Sequence, residues 1–323
     1  MRNNVLVITS SFDTHADVIC PKIQDSGVRI FRFNTDELER YEIGLIPTTA
    51  ALSIVDKVEQ KRITPREIGS VWYRRPSSDK TIEKSLDDES IKLFKYETKG
   101  WVKSITFGFE NSFWVTAPWL LYKSRIKSNQ LLVAHSVGLN VPKTLITRDS
   151  NLVKRFYDEC PNGIVAKSLK VPFVESKDVY HSLRTQEITP SDLSDSSLYI
   201  CPTIFQERIS VSYELRVVAI GRRLFAFKVT TKEKCVTDIR ASGKDNIEYT
   251  PWKISPALSD KILSLLNRFN LPFSSMDLLV DQTGNEFFID LNPNGQWLWL
   301  EYTAGVIMSD LFVEMMISGQ MPA

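Results

Sequence analysis

Cysteine and histidine are scarce, with 4 Cys and 3 His in 323 residues. Cys20, Cys160, Cys201 and Cys235 are widely scattered, with no C-x-x-C spacing and no histidine placed to complete a zinc site. They read as free thiols of a reducing cytosol, not as a disulfide frame or a metal cluster. Charge of either sign is not in excess, since 40 Lys and Arg against 39 Asp and Glu leave a formal +1. Such a chain has no long-range field with which to capture DNA, RNA or an anionic membrane, so any polyanion it holds has to be small and locally bound. Long apolar runs are also missing. The opening run Val5 to Ile8 is a strand's length with no A-x-A-like cleavage site, and nothing approaches the roughly 20 apolar residues of a membrane span. A cytoplasmic, unanchored protein is the expectation. Repeats and low-complexity tracts are absent.

What is present is an ordinary globular composition, 43% hydrophobic and 24% charged, long enough for two or three packed units. The opening alternates strand and helix: Val5 to Thr9, a helix from Asp13 to Gln24 stopped by Gly27, then Val28 to Phe33. After an Ile/Val/Leu stretch near Leu45 to Val58, a strand at Ser70 to Tyr73 runs into Arg74-Arg75-Pro76, and Asp87 to Phe107 has helical spacing. An α/β unit with a small parallel or mixed sheet is expected over residues 1–118. A second unit, residues 119–204, has a helix from Ser124 to Gly138, short strands at Leu145 to Thr147 and Ile164 to Lys167, and a helical stretch Ser150 to Cys160. In a third, residues 205–323, hairpins turn at Gly221-Arg222 and at Gln282-Thr283-Gly284, with a helix Leu258 to Phe269 between them.

The second hairpin carries the most chemistry. If Met276-Asp277 and Ile289-Asp290-Leu291-Asn292 lie on adjacent antiparallel strands, Asp277, Asp290 and Asn292 face one side. Two carboxylates and an amide suit Mg²⁺, which wants hard oxygens and completes its shell with a substrate phosphate. Two strand-end acids beside an Asn-Pro turn explain the same spacing. Lys167, at the end of the apolar strand Ile164-Val165-Ala166, and Lys127, at a helix start, are cations able to reach phosphates, or plain solvated charges. The stretch Phe205-Gln206-Glu207-Arg208-Ile209 can pair with an adenine edge through its backbone, or be a buried interdomain strand. Arg216 and Asp238-Ile239-Arg240 offer guanidiniums for a transferring phosphoryl group. Arg74 and Arg75 either hold substrate carboxylates or pair with structural acids. Glu301 is a candidate general base, though a surface acid is the stronger reading. His15 and His135 have no nucleophile placed beside them and read as structural.

The order Lys127-Ser-Asn-Gln130, Gly138-Leu-Asn-Val-Pro142, Val165-Ala-Lys167, Phe205-Gln-Glu207, Glu214-Leu-Arg216, Asp238-Ile-Arg240, Met276-Asp277 and Asp290-Leu-Asn292 resembles the ATP-grasp superfamily. Val71-Trp-Tyr-Arg-Arg-Pro76, Phe33-Asn-Thr-Asp36, Pro142-Lys-Thr-Leu-Ile-Thr147 and Asp290-Leu-Asn-Pro-Asn-Gly-Gln-Trp297 with Leu298-Trp-Leu-Glu301 resemble its graspetide synthetases, the microviridin-type peptide macrocyclases. The resemblance implies an α/β (α+β) fold: a Rossmann-like pre-ATP-grasp domain, a central lid domain and a C-terminal ATP-grasp domain. It implies that Lys127 and Lys167 are phosphate lysines, Gln206, Glu207, Arg208 and Ile209 the adenine hinge, and Glu214 a ribose contact. Arg216 and Arg240 become phosphoryl or acyl-phosphate stabilisers, and Asp277, Asp290 and Asn292 Mg²⁺ ligands. The implied activity is ATP-dependent ester or amide ring closure in a precursor peptide of leader plus core, by a homodimer. Ser168 to Val174 has no glycine, unlike the phosphate lid of amino-acid ligases, and Tyr180 to Thr189 resembles a leader-binding insert, or is a plain surface hairpin and loop. An intermolecular carboxylate-amine ligase and an ATP-binding regulator without turnover remain alternatives.

Overall fold

The computed structural model describes residues 4–169, 173–176, 179–182, 185–231 and 246–322. Four parallel strands open the fold: β1 (Asn4–Thr9), β2 (Ile30–Asn34), β6 (Ile68–Tyr73) and β7 (Phe113–Val115), in the order β2-β1-β6-β7. Helix α1 (Thr14–Asp25) links β1 to β2, capped by Asp13 and stopped at Gly27 with φ +77°. The Leu45 to Val58 stretch is not part of this sheet. It lies in a separate antiparallel sheet of β3 (Tyr41–Ile46), β4 (Ala51–Asp56) and β5 (Lys61–Ile63). A short α2 (Lys80–Glu83) precedes α3 (Asp88–Phe107), whose first N–H groups are taken up by the Asp87 carboxylate.

The helix expected from Ser124 starts three residues later, at Lys127, and a separate short helix precedes it. α4 (Pro118–Ser124) ends, Arg125 and Ile126 intervene, and α5 (Lys127–Ser136) begins, stopping before Gly138 with φ +82°. Next come β8 (Thr144–Thr147), α6 (Ser150–Asp158), β9 (Ile164–Lys167), the pair β10 (Phe173–Ser176) and β11 (Val179–Ser182), β12 (Gln186–Ile188) and β13 (Thr203–Glu207). Four of these form the antiparallel sheet β12-β9-β13-β8. The expected boundary between residues 204 and 205 therefore falls inside β13, whose register with β8 and β9 runs on both sides of it.

The largest sheet, in the order β16-β15-β14-β17-β18, is antiparallel: β14 (Val211–Ile220), β15 (Arg223–Thr231), β16 (Ile247–Trp252), β17 (Phe273–Asp281) and β18 (Glu286–Asn292). Strand β16 had no sequence signal of its own. One face, with Leu215, Val217, Met276, Leu278 and Phe288, packs on α7 (Pro256–Phe269) and α5. The other face carries Val218, Ile220 and Phe273 into a core shared with Val5, Val7 and Trp72 of the parallel sheet. α8 (Leu298–Ala304) and α9 (Ser309–Ser318) close that core, with Phe312, Met315 and Met316 fully buried. Each such side chain contributes roughly 1.5–3 kcal/mol. The C-terminal helix thus seals the N-terminal sheet, and Lys22 fastens it by bonds to Ser309 Oγ (2.6 Å) and Asp310 Oδ1 (2.7 Å).

Candidate functional site

Period-two alternation carries three charged residues onto the same face of three neighbouring strands. Arg216 on β14 stands opposite Asp277 on β17, and Asp277 opposite Asp290 on β18. Arg216 Nη1 donates to Asp277 Oδ1 at 2.5 Å, and Nη2 to Ser275 Oγ at 3.1 Å and to the Gln296 carbonyl at 3.5 Å. A register shift beside Asp277 leaves Ile289 unopposed and restores Phe288 to the core face. Asn292 is exposed at the end of β18, and its Oδ1 accepts the Asn294 N–H at 3.1 Å. The turn beyond needs glycine, because a Cβ on Gly295 would stand 1.8 Å from Ser275 Oγ.

Electrostatics show how closely the charges converge. Burial, then the neighbouring Asp277 carboxylate, push the Asp290 pKa up, while Lys127, Arg216 and Lys167 pull it down. Burial acts to lower the pKa of the Arg216 guanidinium, but Asp277 and then Asp290 outweigh it and push the pKa up. Five charged residues from α5, β9, β14, β17 and β18 thus meet at one place. Lys127 Nζ donates to the Ser168 carbonyl (3.0 Å), and Lys167 Nζ to Gln206 Oε1 (2.8 Å). Among the described residues no group of three His, Cys, Asp or Glu side chains is placed for a metal. A cation here would rest on Asp277 and Asp290 completed by the Asn292 amide and by phosphate oxygens. Two facing carboxylates with Asp290's pKa raised fit a hard divalent cation well.

The remaining expected residues separate into groups. The Gln206 side chain is buried and spent on Lys167 and on Thr144, to whose Oγ1 its Nε2 donates at 3.0 Å. The N–H groups of Glu207 and Arg208 are bonded to the carbonyls of Lys143 (2.9 Å) and Gly163 (3.0 Å). The Ile209 N–H has no partner among the described residues, leaving one free hinge donor. Arg208 stands 3.5 Å from Glu187 at the surface. Glu214 lies two residues before Arg216 on the same face, near Tyr249, whose hydroxyl pKa is pushed up chiefly by burial. Arg240 and Asp238 lie outside the described residues, as do residues 183 and 184 of the expected insert at Tyr180 to Thr189. Within that insert, Tyr180 falls in β11, while Gln186–Ile188 pairs with β9.

Arg74 and Glu301 prove to be structural. Arg74 is 2% exposed and wedged between the carboxyl ends of β1 and β6, its Nη1 donating to the Asn294 carbonyl (2.5 Å) and its Nε 3.6 Å from Asp13. Glu301 is not an idle surface acid. Its Oε2 accepts the N–H groups of Met308 (3.0 Å) and Ser309 (2.8 Å), and its Oε1 the Ser309 hydroxyl (2.7 Å), capping α9. His15 is structural as expected. Buried, it accepts the Trp297 and Leu298 N–H groups on Nε2 (3.1 and 3.2 Å) at the start of α8, and burial drives its pKa down to about 3. His135 is exposed. Sequence reasoning missed the part played by Gln130, which pins β18 through Leu291. The available signal was a polar residue on the same helix face as Lys127, three positions on.

Residues 4–119 match the family model described as the MvdD pre-ATP grasp domain. Macrocyclase MdnC bound with precursor peptide MdnA, from Microcystis aeruginosa, superposes with a TM-score of 0.86 at 24% identity, covering 98% of this chain and 99% of that one. The Chryseobacterium gregarium RiPP-associated ATP-grasp ligase, in complex with ADP and a leader and core peptide, gives 0.88 at 21% identity, over 98% and 97%. The fold is ATP-grasp. ATP-grasp ligase PsnB, complexed with Mg, ADP and a phosphomimetic minimal precursor, gives 0.78 at 18%, over 98% of each chain. No curated protein matches by sequence. Two sheets supply the residues: β9 carries Lys167 and β13 carries Gln206, while β14, β17 and β18 carry Arg216, Asp277 and Asp290.

Proposed function

We propose that the chain is an ATP- and Mg²⁺-dependent ligase that phosphorylates Asp or Glu side chains of a ribosomal precursor peptide. A Ser or Thr hydroxyl, or a Lys amine, of the same peptide then displaces phosphate and closes an ester or amide ring. The convergence of Lys127, Lys167 and Arg216 on the Asp277–Asp290 pair carries this reading. The ATP-grasp neighbours, crystallised with precursor peptide, ADP or Mg, support it.

In this reading Asp277, Asp290 and Asn292 hold the cation, which when bound offsets charge on the nucleotide phosphates. Lys127 and Lys167 hold phosphate oxygens, with Gln206 keeping Lys167 in place. Gln206 to Ile209 receive the adenine, with the Ile209 N–H as donor, and Glu214 meets the ribose. Arg216, with Arg240, stabilises the γ-phosphoryl as its bond to ADP breaks and a bond to the peptide carboxylate forms. The resulting acyl phosphate loses inorganic phosphate when the hydroxyl or amine attacks, and the attacking group gives up its proton to the departing phosphate or to solvent. Water has to be excluded at that stage, since hydrolysis would return the carboxylate.

The division into residues 1–118, 119–204 and 205–323 is retained as a proposal, with β13 as the seam. A homodimer in the cytoplasm completes the reading. The apolar stripe Leu93, Tyr96 and Phe107 along α3, 63%, 76% and 59% exposed, supports self-association. The test is mass spectrometry of a candidate precursor incubated with protein, ATP and Mg²⁺, beside an Asp290→Ala control. Loss of one water mass per ring, abolished in the control, is expected. ADP release with unchanged peptide mass would point to an intermolecular acceptor, and no ADP to a regulator.

A further inference from the structure

Next to the buried Arg74, the carboxyl end of β6 exposes Arg75. Its guanidinium meets a neutral group: with the Gln296 amide oriented oxygen-first, Nη1 and Nη2 donate to it at 2.9 and 3.1 Å. Arg125 follows α4, the helix that starts at this same edge just beyond β7, the strand paired with β6, and burial and the Arg75 charge lower its pKa while Tyr73 acts the other way. Among the described residues no carboxylate lies within 4.0 Å of either guanidinium. Arg74, Arg75 and Arg125 therefore share a neighbourhood in which only the first has an acid, Asp13, beside it.

Two further features place this pair beside the reaction centre. Gln296 is common to both: its side chain meets Arg75 and its carbonyl lies 3.5 Å from Arg216 Nη2. The carboxyl edge of a parallel sheet is also where α/β folds receive ligands. On the neighbouring strand that edge holds a strained residue, Thr116 at φ +62°, fully buried and donating to the Tyr73 carbonyl at 2.7 Å. Like charges placed together without counter-ions repel, and planar guanidiniums bind carboxylates in bidentate fashion.

We propose that Arg75 and Arg125 form a carboxylate subsite for an acidic peptide, holding a non-reacting Asp or Glu side chain beside the one delivered to Arg216. The proposal rests on the ligase reading for its substrate class. It makes the pair a selector: peptides with a second acid near the reacting one are retained, and Gln or Asn at that position is rejected. Arg74, although adjacent in sequence, takes no part, because the Asn294 carbonyl and Asp13 already hold it in the interior.

The experiment uses the full chain with a non-hydrolysable ATP analogue and Mg²⁺. The probe is a fluorescein-labelled decapeptide alternating Glu and Ser, with its Gln and Ser counterpart. Anisotropy should show the wild type preferring the Glu peptide by about tenfold or more, with the ratio falling toward one in Arg75→Gln/Arg125→Gln. Unchanged ATP-analogue affinity and an unchanged melting curve would exclude unfolding as the cause. A wild type that does not discriminate, or a double variant that discriminates equally well, overturns the subsite. The ligase reading fails separately: discrimination without ring closure in any precursor sinks that reading and leaves the subsite standing.

Discussion

Gln130 and Leu291 are joined reciprocally: Gln130 Nε2 donates to the Leu291 carbonyl at 2.7 Å and Gln130 Oε1 accepts the Leu291 N–H at 3.1 Å. A second bond from Nε2 reaches the Ser124 carbonyl at 2.6 Å. One buried amide on α5 therefore completes an edge strand and fixes the residue between Asp290 and Asn292.

Gln130→Ala leaves two backbone groups of Leu291 without partners in the interior, at a cost of about 1–3 kcal/mol. The mid-point in chemical denaturation should fall accordingly, and the Mg²⁺ concentration for half-maximal ADP release should rise. A variant with wild-type metal dependence would show that β18 keeps its place without this bond.

Arg216 and Asp277 are bonded at 2.5 Å, so a cation at Asp277 competes with the guanidinium. Arg216→Ala should lower ATP turnover by about 10²- to 10³-fold, as loss of a transition-state donor does, with Mg²⁺ affinity equal or tighter. Isothermal titration with Mg²⁺ and nucleotide, beside steady-state ADP release, separates the two. Weaker metal binding in this variant would contradict the competition.

Glu301 caps α9, with both carboxylate oxygens taken up by Met308 and Ser309. Glu301→Ala should lower stability by about 1–2 kcal/mol, the scale of a lost helix cap, with kcat per folded molecule unchanged below the melting range. A loss of kcat beyond a hundredfold with intact stability would return Glu301 to the reaction as a base.

His15 gives the acid limb of stability its shape. In the folded chain burial lowers its pKa from the ordinary 6.5 to about 3. Above pH 6.5 both states are neutral and His15 adds no pH dependence. As pH falls from 6.5 toward 3 the unfolded chain takes up a proton that the folded one refuses, so stability is lost by up to about 1.4 kcal/mol per pH unit. His15→Gln should flatten that stretch of a denaturation series run from pH 7 to 4, and an unaltered slope would count against it.

Much of the site was legible before the fold, because alternation along a strand is a local property. Asp277, Asp290 and Asn292 needed only the hairpin at Gly284, and Lys127 and Lys167 only the starts and ends of single elements. Arg74 and Arg75 could not be told apart in the same way. They are adjacent and chemically alike, yet one is enclosed by Asn294 and Asp13 and the other faces out, a difference made by residues distant in sequence. Glu301 was misread for a related reason. Its partners, Met308 and Ser309, are close in sequence, but they present their N–H groups to it only because α8 ends at Gly305 in a left-handed turn and α9 begins there. The strand β16 went unseen because Ile247–Trp252 is an edge whose side chains alternate between half-buried and exposed, with Pro251 within it.

By itself, the sequence determined the elements, through apolar periodicity, caps and glycine stops, together with the order of the charged residues along the chain. Only the tertiary structure decided which charges meet and which are spent on the scaffold. The physical reason is that a side chain's chemistry is set by its partners. Those of Arg216, Lys167 and Gln130 are Asp277 on β17, Gln206 on β13 and Leu291 on β18, residues brought alongside only by the packing of separate elements.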